Sequence, residues 1–311
     1  MAIPNGTLTG TSAISNLVQT AYDQYVRMAL RSIPVMRALA DVKPVQQAMP
    51  GSSVVFSIYS DLAQATTTLT EASDVSSIAL GNPNQITVTL NEYGSAVTTT
   101  KKLNMTSFND VDAALADIIA YNAADSIDAV VASVLTSGSN VIYAGTATST
   151  NTITSAMKMT VQDIREAVTE LRTNKALPLI GELYAAYLHP RQTADLRAET
   201  GTGGFQDLSK FTDRTPFVAG AVGVIEGAFV VETPRVPFAA NAASPAVNVY
   251  KAVIAGREAL AEAQGQDIST VVGPQIDALR RYHTIGWYYF GGFNLLRQAA
   301  LYRIETAATN G

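Results

Sequence analysis

Between residues 51 and 100 the chain carries two runs of alternating apolar and polar side chains, and no lysine or arginine at all. In 53–59, Val54, Phe56 and Ile58 alternate with Ser53, Val55, Ser57 and Tyr59. In 85–97, Ile86, Val88 and Leu90 alternate with Thr87, Thr89 and Asn91. A period of two predicts half-buried strands. The link between them, 60–84, is polar and rich in threonine and serine, and the charges of the whole stretch are Asp61, Glu71, Asp74 and Glu92. A two-stranded ribbon with a long polar connection is marginal by itself in water. Some other surface must therefore cover it.

Composition bears on where that surface lies. The chain has 311 residues, enough for two ordinary domains or one large elaborated one. Only 15% of them are charged, against about 25% in ordinary soluble domains. So few charges imply either a large core or a surface covered by other subunits. The bulk supplied by alanine, threonine and serine favours coverage. A net charge of −5, with 21 basic residues not gathered into a run, gives no nucleic-acid footprint. The absence of cysteine excludes disulfides, thiolate metal sites and a cysteine nucleophile. Residues 1–10 have neither a basic nor an apolar segment of the kind a secretion signal needs. No run of 18 apolar residues occurs, so no membrane span is expected, and the default compartment is the cytoplasm or wherever an assembly built there ends up.

Along the chain, 1–12 is polar, and 13–32 has helical spacing through Ile14, Leu17, Val18, Ala21, Tyr25 and Met28. Pro34, Pro44 and Pro50 predict a mostly extended 33–50. Ser107 with Asp110 reads as a helix start. The apolar stripe from Val111 through Leu115, Ile119, Ile127, Val131 and Leu135 makes 107–135 a rod of roughly 40 Å. Asn122 and Ser126 interrupt that stripe and read as a solvated or slightly rotated face. Thr160 with Asp163 caps a second helix carrying Val161, Ile164, Val168 and Leu171, with Pro178 beyond its end. Short strands are expected at 141–143, 183–188 and 248–254, and a helix at 192–198. Gly-punctuated packed strands or turns are expected in 217–232, and an extended polar run at 264–275. An aromatic segment around Trp287 and a closing strand within 295–305 complete the chain. No repeat of fixed period is present.

Catalytic signals are weak. His189 and His283 have no HxH or HxxxH companion, so a structural role outweighs a metal site for both. No nucleophile elbow occurs, and a triad pairing His189 with Asp195 or Asp163 would have no sequence signature. The 201–204 glycine cluster has Gln206 where a dinucleotide fingerprint needs glycine, and no Walker A sequence exists. Glu258 and Glu262 share helical spacing, which reads as a solvated face rather than an acid–base pair. The Trp287–Phe290 aromatics read as core or interface anchors, since few basic residues interleave with them.

The order of elements resembles the Hong Kong 97-like major capsid protein of tailed bacteriophages. Pro50-Gly51-Ser52-Ser53-Val54-Val55-Phe56 resembles the entry to that family's E-loop. Leu69-Thr70-Glu71 and Val88-Thr89-Leu90-Asn91-Glu92-Tyr93-Gly94 resemble its tip and return strand. Tyr187-Leu188-His189-Pro190 with Asp195-Leu196-Arg197 resembles the start of its axial domain. Gly256-Arg257-Glu258-Ala259-Leu260 and 281–287, with Leu301-Tyr302-Arg303-Ile304-Glu305, resemble its closing half.

The resemblance implies an α+β capsid fold with an N-arm at 1–49 and an extended β-hairpin E-loop at 50–100. A peripheral domain at 101–178 would hold the long spine helix, an axial domain would span 179–281, and 282–311 would return to the peripheral domain. It also implies a non-enzymatic subunit without cofactor, metal or membrane. Copies would form hexamers and pentamers of an icosahedral shell around double-stranded DNA, contacted without sequence specificity. That shell would be the virion capsid, assembled in the host bacterial cytoplasm with scaffolding, portal and decoration proteins. Some members cross-link an E-loop lysine to a neighbour's asparagine; 45–100 has no lysine, so overlap here is expected to be non-covalent. The expected inter-subunit contacts set Asp61, Glu71 and Asp74 against Arg27, Arg31, Arg37 and Arg165 of a neighbour. Competing readings are an encapsulin-like compartment, a hydrolase using His189, and a tail-tube or fibre protein, the last disfavoured by the long helix.

Overall fold

The computed structural model describes residues 35–44, then 53–106 apart from 60, 61, 67, 70, 72, 73 and 76. It continues with 111–200, 223–243, 246–273, 279 and 281–309. The expected helix at 13–32, the cap at Ser107 and the 201–204 glycine cluster lie outside the described residues.

The chain enters through a 3-10 turn, Met36–Leu39, and a strand β1, Ala40–Pro44. The strands β2 (Ser53–Ile58) and β3 (Asn84–Thr89) form the expected ribbon, antiparallel, with Val54 opposite Val88 and Phe56 opposite Ile86. The second run does not continue as one strand. At Leu90 it breaks, and β4, Asn91–Thr100, takes a different partner. A short helix α1, Lys101–Thr106, leads to the long helix α2, Val111–Leu135, whose 25 residues span about 37 Å. Then come β5 (Val141–Tyr143), α3 (Val161–Thr173), β6 (Tyr184–Leu188) and α4 (Pro190–Ala198). The rest is β7 (Val224–Ile225), β8 (Ala228–Glu232), β9 (Phe238–Ala243), β10 (Val247–Ala255), β11 (Leu260–Val272), β12 (Tyr282–Leu295) and β13 (Leu301–Thr306).

Two larger sheets result. One is ordered β1-β11-β12-β4; its centre is the long β11–β12 pairing, from Leu260 opposite Leu295 to Val272 opposite Ile285. The other is ordered β5-β13-β10-β6-β8-β7, with β9 beside β10. It holds the main core with α3 packed on it through Ile164, Ala167, Val168 and Leu171. The Thr160 cap forms as expected: Thr160 Oγ1 accepts from Asp163 N–H at 3.3 Å, and Asp163 Oδ2 accepts from Thr160 N–H at 2.9 Å. The strands expected at 141–143, 183–188 and 248–254 and the helix at 192–198 all form, within a residue or two.

Helix α2 joins the two sheets. Ile119, Ala123 and Ile127 lie against Ile285, Trp287 and Tyr289 of β12, while Val131, Ala132 and Leu135 enter the main core. By length and hydropathy alone Leu115–Leu135 could cross a membrane. Its apolar stripe is spent on the sheets instead, as in the core helix of a globular protein. Asn122 is solvent-exposed, as a solvated position should be, yet it also accepts the Trp287 indole N–H at 2.9 Å. The aromatic anchor reading holds: Trp287 and Tyr289 are core residues.

The split at Leu90 is accommodated by two glycines of β12. Gly291 pairs with Asn91, and the next residue, Gly292, lets the Thr89 carbonyl lie where a Cβ would stand. The ribbon can thus cross directly over β12, and Asn294 Nδ2 donates to the Thr87 carbonyl at 2.9 Å beside the crossing. Gly292→Ala should displace the ribbon root at a cost of about 1–3 kcal/mol. Thermal melts of the unassembled subunit would show it; an unshifted midpoint would mean that the close approach is not needed.

Candidate subunit interface

The ribbon finds its first covering surface at home. Val54, Phe56, Val88 and Leu90 are buried against Ala261 and Ala263 of β11 and Leu296. Lys43 of β1 lies over the Phe56 ring at 5.0 Å and donates to the Val55 carbonyl at 3.2 Å. The root is therefore covered within its own subunit, which corrects the expectation that other subunits supply its covering surface.

Beyond Ile58 the picture reverses. Tyr59, Leu62, Leu69, Val75, Ile78 and Leu80 are all exposed, Leu69 to 76%. Glu71 and Asp74 are exposed beside them, and Asp61 lies outside the described residues. Among the described residues of the loop there is no cation. A soluble subunit seldom leaves so many apolar side chains bare on one projection unless something covers them. These apolar positions escaped the sequence reading because they are scattered among threonine, serine and alanine, so the average looks polar.

The four arginines expected to face the loop divide. Arg27 and Arg31 lie outside the described residues. Arg165 pairs with Glu226 of its own chain at 2.9 Å, and that bond holds the Glu226 carboxyl below its ordinary range, against the opposing effect of burial. Arg37 is more deeply engaged. Its Nε donates to Glu262 Oε2 at 3.1 Å, and its Nη2 donates to Glu262 Oε1 at 2.7 Å and to Asp267 Oδ1 at 3.1 Å. The Tyr289 hydroxyl donates to Glu262 Oε1 at 2.9 Å, and the guanidinium lies 5.5 Å from the Tyr289 ring centre. Burial opposes the arginine charge, but the bonds and charges of Glu262 and Asp267 hold the guanidinium above its ordinary pKa. Burial, then the Glu262 carboxylate, pushes the Tyr289 phenol well up.

Glu262 is wholly buried, so the solvated-face reading fails for it, while Glu258 is exposed as that reading expects. The reason is the period. Glu262 sits in β11, a strand, where the i, i+4 spacing to Glu258 has no meaning. Asp128 of α2 was missed altogether. Fully buried, it accepts the Met36 N–H at 2.7 Å and the Arg37 N–H at 3.2 Å. Burial raises its pKa, against those same backbone bonds. Burial, then the Asp128 charge, also pushes the nearby Tyr187 phenol up to about 12. Together Asp128 and Glu262 fasten the 35–44 strap to α2 and to β11.

His189 is not set up for catalysis. It caps α4, its Nδ1 accepting the Arg191 N–H at 3.2 Å, and its ring lies 4.7 Å from that of Tyr250. Burial and then the Arg191 charge hold the imidazole below its ordinary pKa, despite Glu232. Asp195 accepts instead from Thr309, and Asp163 from Thr160. His283 pairs with Thr99 along the β12–β4 ladder. Among the described residues no cluster of His, Asp or Glu could hold a metal ion.

The long helix α2 thus spans both sheets, and a ribbon rooted on the first sheet carries a bare apolar tip. Solved structures share this fold. The cyanophage Pam1 capsid subunit is 13% identical, with full coverage of both chains and a TM-score of 0.74. The capsid of cyanophage P-SCSP1u is 16% identical over 95% of this chain and 94% of its own, with a TM-score of 0.73. The acid-stable capsid of Helicobacter pylori bacteriophage KHP30 is 13% identical over 98% and 100%, with a TM-score of 0.68. At such identities the likeness is one of fold. No curated protein sequence matches the chain. The sequence profile of the phage capsid protein family matches residues 11–304, and the chain belongs to that family. It is a major capsid protein of the Hong Kong 97-like α+β fold. Its family and fold are structural ones, and its place is the virion capsid.

Proposed function

We propose that this chain builds the wall of a tailed-phage head, with pentamers and hexamers closing an icosahedral shell around packaged double-stranded DNA. The observation that carries this reading is the contrast within one ribbon: its root is buried in its own subunit, and its tip presents bare Leu69, Val75 and Ile78. Such a projection is a subunit-overlap device, reaching across a boundary while anchored at home. The N-arm takes 1–49, the E-loop 50–100, the peripheral domain 101–178 with 282–311, and the axial domain 179–281. Overlap is non-covalent, since the loop has no lysine to cross-link. The net negative charge suits a wall that confines DNA without gripping it. Assembly takes place in the host cytoplasm with scaffolding and portal proteins, and the chain has no enzymatic role. The capping duty of His189 supports that last point against a hydrolase.

Expression of the full chain with its scaffold, followed by negative-stain microscopy, tests the reading. Closed shells are expected. Replacing Leu69, Val75 and Ile78 together by serine should leave a folded subunit that no longer forms them. Tubes, or shells unaffected by the triple change, would contradict it. Nucleic acid, rather than protein cargo, inside shells purified from infected cells separates a virus head from a storage compartment.

A further inference from the structure

We propose that the acidic loop tip docks on a second copy of this chain at the corner where β4 runs into α1, Glu71 pairing there with Lys101 and Lys102. The inference rests on the shell reading above and names the acceptor within it. Arg37 and Arg165 are spent on carboxylates of their own subunit and are poor candidates for a neighbour's acid. Lys101 and Lys102 are exposed on the first turn of α1, no acidic residue offsets them in that turn, and neither has an ion pair among the described residues. Glu71, equally exposed, has none either.

The apolar surfaces match as the charges do. Beside the two lysines, Leu103 is 47% and Met105 74% exposed. Val97 of β4 stands in register with Ile285, which pairs in turn with the exposed Val272. The corner is thus cationic and apolar, and the loop tip is anionic and apolar. The β4 edge running into this corner has Glu92 as its one charged residue and no proline to block an approaching chain. Two copies of the corner would set lysine against lysine, so corner-to-corner contact is disfavoured. An exposed ion pair contributes little once, but shell symmetry repeats it at every loop. The effect should therefore fall on assembly and not on the fold of the subunit.

The test is a charge swap in the full chain, assembled at low ionic strength and read as sedimentable shells. Glu71→Lys alone, and Lys101→Glu with Lys102→Glu, should each lose most of the shells while the subunits keep the circular dichroism melt of the unaltered chain. The three changes combined should restore shells. Normal shells from either reversed variant overturn the pairing, as does a combined variant no better than its parents. Loss with the lysine variant alone, Glu71→Lys being indifferent, gives the corner to another partner and also overturns it. Failure of the unaltered chain to form closed shells would instead count against the capsid reading itself.

Discussion

Arg37→Met should destabilise the unassembled subunit by roughly 3–5 kcal/mol, the usual cost of leaving a buried charge without its partner. Methionine keeps much of the arginine's apolar stem, so packing is largely preserved. What is lost is the two-pronged bond to Glu262, which has no exposure of its own and would keep only the Tyr289 hydroxyl. The strap would also lose its side-chain tie to β11, although the Asp128 bonds to the Met36 and Arg37 N–H groups would remain. Because the cost is an orphaned charge and not missing bulk, adding Glu262→Gln should recover a good part of it. Chemical denaturation of the two variants beside the unaltered chain checks this. A single variant that unfolds like the parent, or a double variant worse than the single, would show that the pair does not fasten the strap.

Trp287→Ala should cost a comparable amount, about 3–5 kcal/mol, as large aromatic truncations in packed interiors do. The indole lies between α2 and the first sheet, among Ile119, Ala123, Ile127 and Ile285. Trp287→Phe isolates the polar part. It retains most of the burial and removes the bond to Asn122, whose exposed amide can turn to water, so about 0.5–1.5 kcal/mol is expected. The two values should differ at least twofold. Equal losses would mean that the hydrogen bond, not the packing, holds α2 on the sheet. Circular dichroism is the suitable probe, because Trp287 is the chain's single tryptophan and both changes abolish its fluorescence.

Local rules carried much of the fold. Thr160 with Asp163 marked the start of α3 because a capping box is written in four consecutive residues. Alternation in 53–59 and 85–90 marked the ribbon and even its register face. The rules failed where partners are distant in sequence. Nothing near Leu90 announces that β4 will leave the ribbon for β12; the signal is Gly292, two hundred residues on. Glu262 and Asp128 look like ordinary surface acids until Arg37, Met36 and Tyr289 are brought to them by the fold. The candidate interface was legible in its charge, an acidic loop without a cation. Its apolar content was not, since Leu62, Leu69, Val75, Ile78 and Leu80 do not follow any one period. Function came from the resemblance carried by the ordered set of elements, and the family match to 11–304 supports it.

A reconstruction of assembled shells by electron cryomicroscopy would test the subunit-overlap account most directly. The account predicts that the 62–80 loop of each subunit crosses a subunit boundary, with Leu69, Val75 and Ile78 buried against the neighbour and the ribbon root unchanged from the free subunit. A loop folded back on its own subunit, or standing free in solvent in a closed shell, would contradict it.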